Sequence, residues 1–429
     1  MNRADCLTLD AGDPLAAHRA AFALPPGVVY LDGNSLGALP RATLPRLQQV
    51  VEHEWGTRLI RSWNEAGWVD APQRIGAKLS ELIGARAEEV VCADSTSINV
   101  FKVLACALRL QARRPQVSET PRRVIVSERS NFPTDLYMAQ GLAELLGGYE
   151  FRLVEFDQVG DALDDSVAAL MLTQVNYRTG AVHDMAVITA RAQAVGAMTV
   201  WDLAHSAGAI PVELNAARAD FAIGCGYKYL NGGPGAPGFV FVAQRHLDAA
   251  ADDPFAQPLS GWFGHRSPFT FDTAYAPAAT IDRFTVGTPS IIALAALEVG
   301  IDTVRNAGVP ALREKSVALA ELFISLVDAR CSDFGLTLVS PRDAPRRGSQ
   351  VSYAHANAWP IMQALVARGV IGDCRRGGGS GNDPDILRFG FAPLYNRHVD
   401  VWDAVEALRD ILVSKTWDRP EFRADKAVT

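Results

Sequence analysis

The sequence lacks any apolar run able to cross a bilayer. The stretch from Ile291 to Ile301 is broken by Glu298, whereas a spanning helix needs about 20 apolar residues. The first residues, Met1 to Cys6, show no signal-peptide core and carry an acid early. Basic clusters are scarce. The tightest are Arg122-Arg123, Arg346-Arg347 and Arg375-Arg376 in a chain of formal net charge -7, too short for a stripe that tracks nucleic-acid phosphates. Cys6, Cys92, Cys106, Cys225, Cys331 and Cys374 form no C-x-x-C pair, which argues for a reducing compartment over a disulfide framework. The scattered histidines show no H-E-x-x-H and no paired Cys/His spacing, so no metal is expected. A soluble cytoplasmic protein without nucleic-acid or membrane partners is the expectation.

What is present is a large apolar core. Apolar residues make up 48% and charged residues 21% of the 429, the balance of a folded chain long enough for two or three packed units. Val124 to Val126, Ala168 to Val175, Met198 to Leu203 and Phe239 to Val242 read as buried strands. Helical patterns such as Asn99 to Ala112 and Met185 to Val195 stand between them. That alternation predicts an α/β domain with a mostly parallel sheet over residues 46–305. From about 305 a long helix (Val309 to Val327), short strands near Thr337 and Val351, a helix (Pro360 to Arg368) and a Gly-rich loop at 377–381 follow. They predict a smaller α+β domain from 1–45 and 306–429. The charged last dozen residues read as a frayed tail.

In open parallel sheets, ligands bind beyond the carboxyl ends of strands. Lys228, within Gly-Cys-Gly-Tyr-Lys-Tyr-Leu-Asn-Gly-Gly-Pro-Gly (224–235), sits among apolar and small residues. Desolvation there would favour the neutral, nucleophilic amine; the plain alternative is a lysine that snorkels to solvent. Asp202 and His205 stand at the end of the apolar strand Met198 to Leu203. A buried carboxylate needs a cationic partner, and a protonated pyridine ring is one; a helix N-cap and a core-edge histidine are the plain alternatives. Asp94-Ser95-Thr96-Ser97 precedes a helix and offers an anion site or an ordinary cap. Phe132, in Asn-Phe-Pro-Thr-Asp (131–135), offers a face for a planar ring or packs in a turn.

Further blocks carry a resemblance: Tyr-Leu-Asp-Gly-Asn-Ser-Leu-Gly (30–37), Gly-Trp-Phe-Gly-His (261–265) and Leu-Arg-Phe-Gly-Phe-Ala-Pro-Leu-Tyr (387–395). With the Phe132, Asp202 and Lys228 blocks, the chain resembles the kynureninase family, from about Tyr30 to about Trp402. That resemblance implies a fold-type I enzyme dependent on pyridoxal 5′-phosphate (PLP) that divides L-kynurenine and water into anthranilate and L-alanine. It implies that Lys228 carries the cofactor, that Asp202 pairs with its ring nitrogen, and that Tyr227 donates a proton. Thr96, Ser97, Phe132, Thr134, Asp135 and His205 would complete the cofactor site. Trp262 and Thr288 would reach across the interface of a homodimer with shared active sites. Arg388 would grip the substrate α-carboxylate as a bidentate fork, near Asn34 and Ser35, with Trp63 lining the aryl pocket. A place in tryptophan catabolism or NAD biosynthesis is implied; Gly287 and Thr288 offer few polar groups to a ring hydroxyl, so unsubstituted kynurenine is expected over its 3-hydroxy form. The competing reading is another fold-type I enzyme, a cysteine desulfurase or selenocysteine lyase, with Cys374 as its thiol. A ligand-sensing module fused to a DNA-binding domain is disfavoured, since neither end has room for a basic domain.

Overall fold

The computed structural model describes residues 1–114, 121–377 and 383–424. Positions 378–381 of the expected Gly-rich loop lie outside the described residues. Seven strands form the main sheet: β1 (Val90–Cys92), β2 (Val124–Glu128), β3 (Glu150–Val154), β4 (Val167–Thr173), β5 (Met198–Asp202), β6 (Phe221–Cys225) and β7 (Gly238–Val242). Their spatial order is β1-β7-β6-β5-β4-β2-β3. Only β7 runs antiparallel to its neighbours. Every residue of β2, β4, β5, β6 and β7 is buried, because both sheet faces are covered. That is why these strands read as continuous apolar runs without alternation.

Helices α1 (Thr96–Arg113), α2 (Pro133–Leu146) and α3 (Met185–Ala194) fill the connections. Helices α4 (Ile291–Ala307) and α5 (Val309–Arg330) lead to a second sheet. It comprises β8 (Thr337–Leu338), β9 (Gln350–Ala354), β10 (Asp373–Arg375) and β11 (Ile386–Gly390), ordered β10-β11-β9-β8 and wholly antiparallel. Helices α6 (Ala358–Ala367) and α7 (His398–Ser414) contribute to its core. The amino-terminal segment joins both cores: Leu15, Phe22 and Ala38 pack with the main sheet, Cys6 and Leu31 with the second. Val29–Tyr30 also pairs in parallel with Val370–Ile371.

The frayed-tail expectation fails over 418–424, and 425–429 lie outside the described residues. Trp417 and Phe422 pack against the second core, and Trp359 Nε1 donates to the Ala424 carbonyl at 3.1 Å. Two aromatic anchors outweigh the charge around them. Among the described residues, no helix is long and apolar enough to cross a membrane.

Candidate active site

Parallel strands all deliver their carboxyl ends to one edge. Glu128, Thr173, Asp202 and Cys225 close β2, β4, β5 and β6, and the residues just beyond them converge. A cavity of about 220 Å³ is lined there by Ser95, Thr96, Ser97, Phe132, Thr134, Asp135, Thr173, Tyr177, Asp202, Ala204, His205, Tyr227 and Lys228. Nine residues expected from the sequence therefore meet in one place: Thr96, Ser97, Phe132, Thr134, Asp135, Asp202, His205, Tyr227 and Lys228.

Lys228 is half-buried, with Nζ 5.8 Å from both the Phe132 and Tyr227 ring centroids. The expected full desolvation is thus only partial, since the side chain opens on the cavity rather than on packed core. Burial raises the Tyr227 phenol above its usual range, so it keeps its proton at neutral pH.

At the floor of the cavity two carboxyl groups meet. Asp202 accepts from the Ala204 N–H at 2.7 Å, whereas neither oxygen of buried Asp135 finds a donor among the described residues. Burial raises both carboxyls, and their mutual repulsion raises Asp135 further. Asp135 holds the shared proton and Asp202 takes the charge. Asp202 is therefore no helix cap serving local structure alone; the pair is a buried acidic spot awaiting a cation. The protonated ring nitrogen of PLP fits that demand. The amino end of α1, capped by Ser95 Oγ on the Ile98 N–H at 3.5 Å, supplies Thr96, Ser97 and free N–H groups suited to a phosphate.

His205 is buried, and desolvation together with the charges of Lys228 and Arg388 lowers it well below the usual imidazole range. It is neutral. Gln350 Nε2 is committed to the Tyr177 carbonyl at 2.9 Å, so the Gln350 oxygen accepts from His205 Nδ1–H at 3.1 Å.

Arg388 stands beyond Tyr177, fully buried. Its Nη1 donates to the Tyr177 carbonyl at 2.8 Å, and its Nη2 donates to Ser35 Oγ at 2.7 Å and to Asp373. The Asn34 amide oxygen accepts from Arg388 Nε at 3.1 Å, and its nitrogen donates to Asp32 at 3.3 Å. Arg388, Asn34 and Ser35 are thus brought together in one hydrogen-bonded unit. Asp32, 3.9 Å from Arg388, is pushed up to about 7 by burial and by the charge of Asp373.

The remaining expected residues stay outside the Lys228 cavity of this chain. Trp63 and Trp262 both pack on Phe263, with ring centroids 6.0 and 5.0 Å away. Thr288 lines an adjoining cavity of about 340 Å³ that shares Ser95, Thr96 and Tyr227 with the first. Cys374 is buried and its thiol pushed up to about 12 by burial, far from the reactive thiolate range. The sequence reading missed Thr173, Tyr177, Gln350, Asp373 and Asp32. Thr173 ends an apolar strand run, a signal that was available. Gln350 and Asp373 enter through the register of the second sheet, where Gln350 pairs with Gly390 and Asp373 with Arg388.

Residues 312–408 match the model of the kynureninase C-terminal domain. A protein named kynureninase from Burkholderia mallei (strain SAVP1) is 55% identical over all of this chain and 99% of its own. One of the same name from Pseudomonas fluorescens is 52% identical over the same shares. Among solved structures, a cysteine desulfurase from Thermococcus onnurineus NA1 superposes with a TM-score of 0.76 at 18% identity, covering 93% of this chain and 98% of that one. A cysteine desulfurase from Escherichia coli gives 0.74 at 20% identity over 94% and 98%. At such identities these two establish a shared fold alone.

Proposed function

The chain belongs to the kynureninase family, and from that membership we propose that it hydrolyses the Cβ–Cγ bond of L-kynurenine, yielding anthranilate and L-alanine with PLP as cofactor. One observation carries the reading at the level of the site: an amine, Lys228, lines the same cavity as a buried carboxyl pair, Asp202 and Asp135, of which Asp135 meets no donor among the described residues. Lys228 would hold the cofactor covalently, Asp202 its ring nitrogen, Thr96 and Ser97 its phosphate, with Phe132, Thr134, Asp135 and His205 around the ring. When bound, PLP withdraws electrons from the carbons next to the substrate amine. Arg388, with Asn34 and Ser35, binds the α-carboxylate. The Lys228 amine moves the proton at the substrate's Cα. Water adds at the aryl ketone, the Cβ–Cγ bond breaks, and the Tyr227 hydroxyl, kept protonated by burial, donates to the departing carbon.

Trp262 and Thr288 complete the site from a second copy in a homodimer. In support, Trp262, Phe269 and Phe271 are exposed together, the latter two rings 5.7 and 6.3 Å from Trp262, an apolar patch that suits an interface. Trp63 lines the aryl pocket. Gly287 and Thr288 offer few polar groups to a ring hydroxyl, which favours unsubstituted kynurenine by about 1–3 kcal/mol. We assign 46–305 to a large domain and 1–45 with 306–429 to a small one, with Leu15, Phe22 and Ala38 of the amino-terminal segment tying the two together.

The test is direct. PLP-loaded protein given L-kynurenine should release fluorescent anthranilate, faster than 3-hydroxykynurenine is consumed. Sulfide from cysteine with no anthranilate from kynurenine would overturn the reading in favour of a desulfurase.

A further inference from the structure

Lys102 lies at the end of the second turn of α1, outside the cavity, and is 0% exposed. A buried ammonium is costly unless bound. Its Nζ donates to Asp94 Oδ2 at 2.7 Å and to the carbonyl of Phe284. Asp94 has φ of 51°, the left-handed region that costs a side-chain-bearing residue. It is the last residue before the Ser95 cap, so its backbone sets where the first N–H groups of α1 point. The Gly238 N–H holds the Asp94 carbonyl at 2.7 Å, while Lys102 holds its side chain. Phe284 immediately precedes Thr285 to Thr288, which line the adjoining cavity with Asp94, Ser95 and Thr96.

We propose that Lys102 is a positioning residue for the cofactor phosphate: it clamps Asp94 in its left-handed conformation and ties the Ser95–Ser97 turn to the segment leading to Thr288. This rests on the PLP reading of the cavity. Removing the ammonium lets Asp94 relax, and the N–H groups of Ser95, Thr96 and Ser97 lose their aim. The ring contacts of Asp202 and His205, on other strands' ends, are untouched.

The experiment titrates the apoprotein with PLP and, separately, with pyridoxal, which lacks the phosphate. Lys102→Met should weaken PLP about tenfold, the size set by releasing a left-handed residue, and leave pyridoxal within about twofold. A merely damaged cavity would weaken both ligands alike, and that result, or an unchanged PLP affinity, overturns the proposal. Two double variants keep the test open should Lys102→Met fold poorly, because neither leaves a buried charge unpaired. Lys102→Met with Asp94→Gly should keep PLP within about threefold, since glycine takes positive φ freely. Lys102→Met with Asp94→Ala should lose about tenfold, and equal affinities in these two variants would overturn the clamp. Wild-type protein that binds neither ligand would defeat the PLP reading itself, and this proposal with it.

Discussion

The two sides of the candidate site are built on opposite terms. On the Asp202 side, a buried carboxyl pair is under-supplied: Asp202 accepts from the Ala204 N–H, and Asp135 meets no donor among the described residues. On the Arg388 side, the guanidinium is already satisfied by Tyr177, Ser35, Asp373 and Asn34. The first side gains by taking a cationic ring. In the proposed role, the second would release internal partners to take a carboxylate, so its affinity would be a difference between two sets of hydrogen bonds. A stable resident cofactor and a substrate that comes and goes call for that contrast.

The largest effect removes the group that serves both sides. Lys228→Ala should cut turnover by at least about 10³-fold in anthranilate release, the upper range for a lost proton-transfer group. Next, Arg388→Ala should lower kcat/KM about 100-fold, mostly through KM, with PLP affinity unchanged. Equal losses of cofactor and substrate binding would erase the distinction between the sides.

A smaller and pH-dependent effect belongs to the carboxyl pair. Burial raises Asp135 and Asp202 in the folded state, so the apoprotein binds more protons there than the unfolded chain does. Their contribution to stability is present at low pH and is lost as pH rises from about 4 through the folded values. A bound pyridinium reverses that loss. The gap in Tm between PLP-bound and apoprotein should widen from about pH 5 to about pH 8, and Asp135→Asn should flatten it, as read in thermal melts. Asp32 is present in both forms and cancels in the gap.

The smallest effect sharpens the other side. Asp32, pushed up to about 7, ionises beside Arg388 as pH rises and competes with an incoming carboxylate. Asp32→Asn should lower KM by about two- to threefold above pH 8 and leave it unchanged near pH 6, a modest size because Asp373 already pairs with Arg388.

The sequence made the Asp202 side legible and the Arg388 side only half so. Asp202, His205 and Lys228 stand just past apolar runs, where a parallel sheet collects its ligands, so strand reading and chemistry point to the same residues. Arg388, Asn34 and Ser35 came from block resemblance. Asp373 and Gln350 depend on which residue faces which across antiparallel strands, and register is not written in either segment alone. Lys102 reads as one more helix residue until Asp94 is known to be left-handed. Trp63, Trp262 and Thr288 stay apart from the Lys228 cavity within this chain; they entered the reading through block resemblance, and no strand end carries them to that edge of the sheet.

The central claim is that the cavity between Lys228 and Asp202 holds PLP through the Lys228 amine. Reducing the PLP-loaded protein with borohydride and mapping the peptides by mass spectrometry tests it most directly. The expected result is a single phosphopyridoxyl label, on Lys228. A label on any other lysine, or none on a protein that turns over kynurenine, would contradict it.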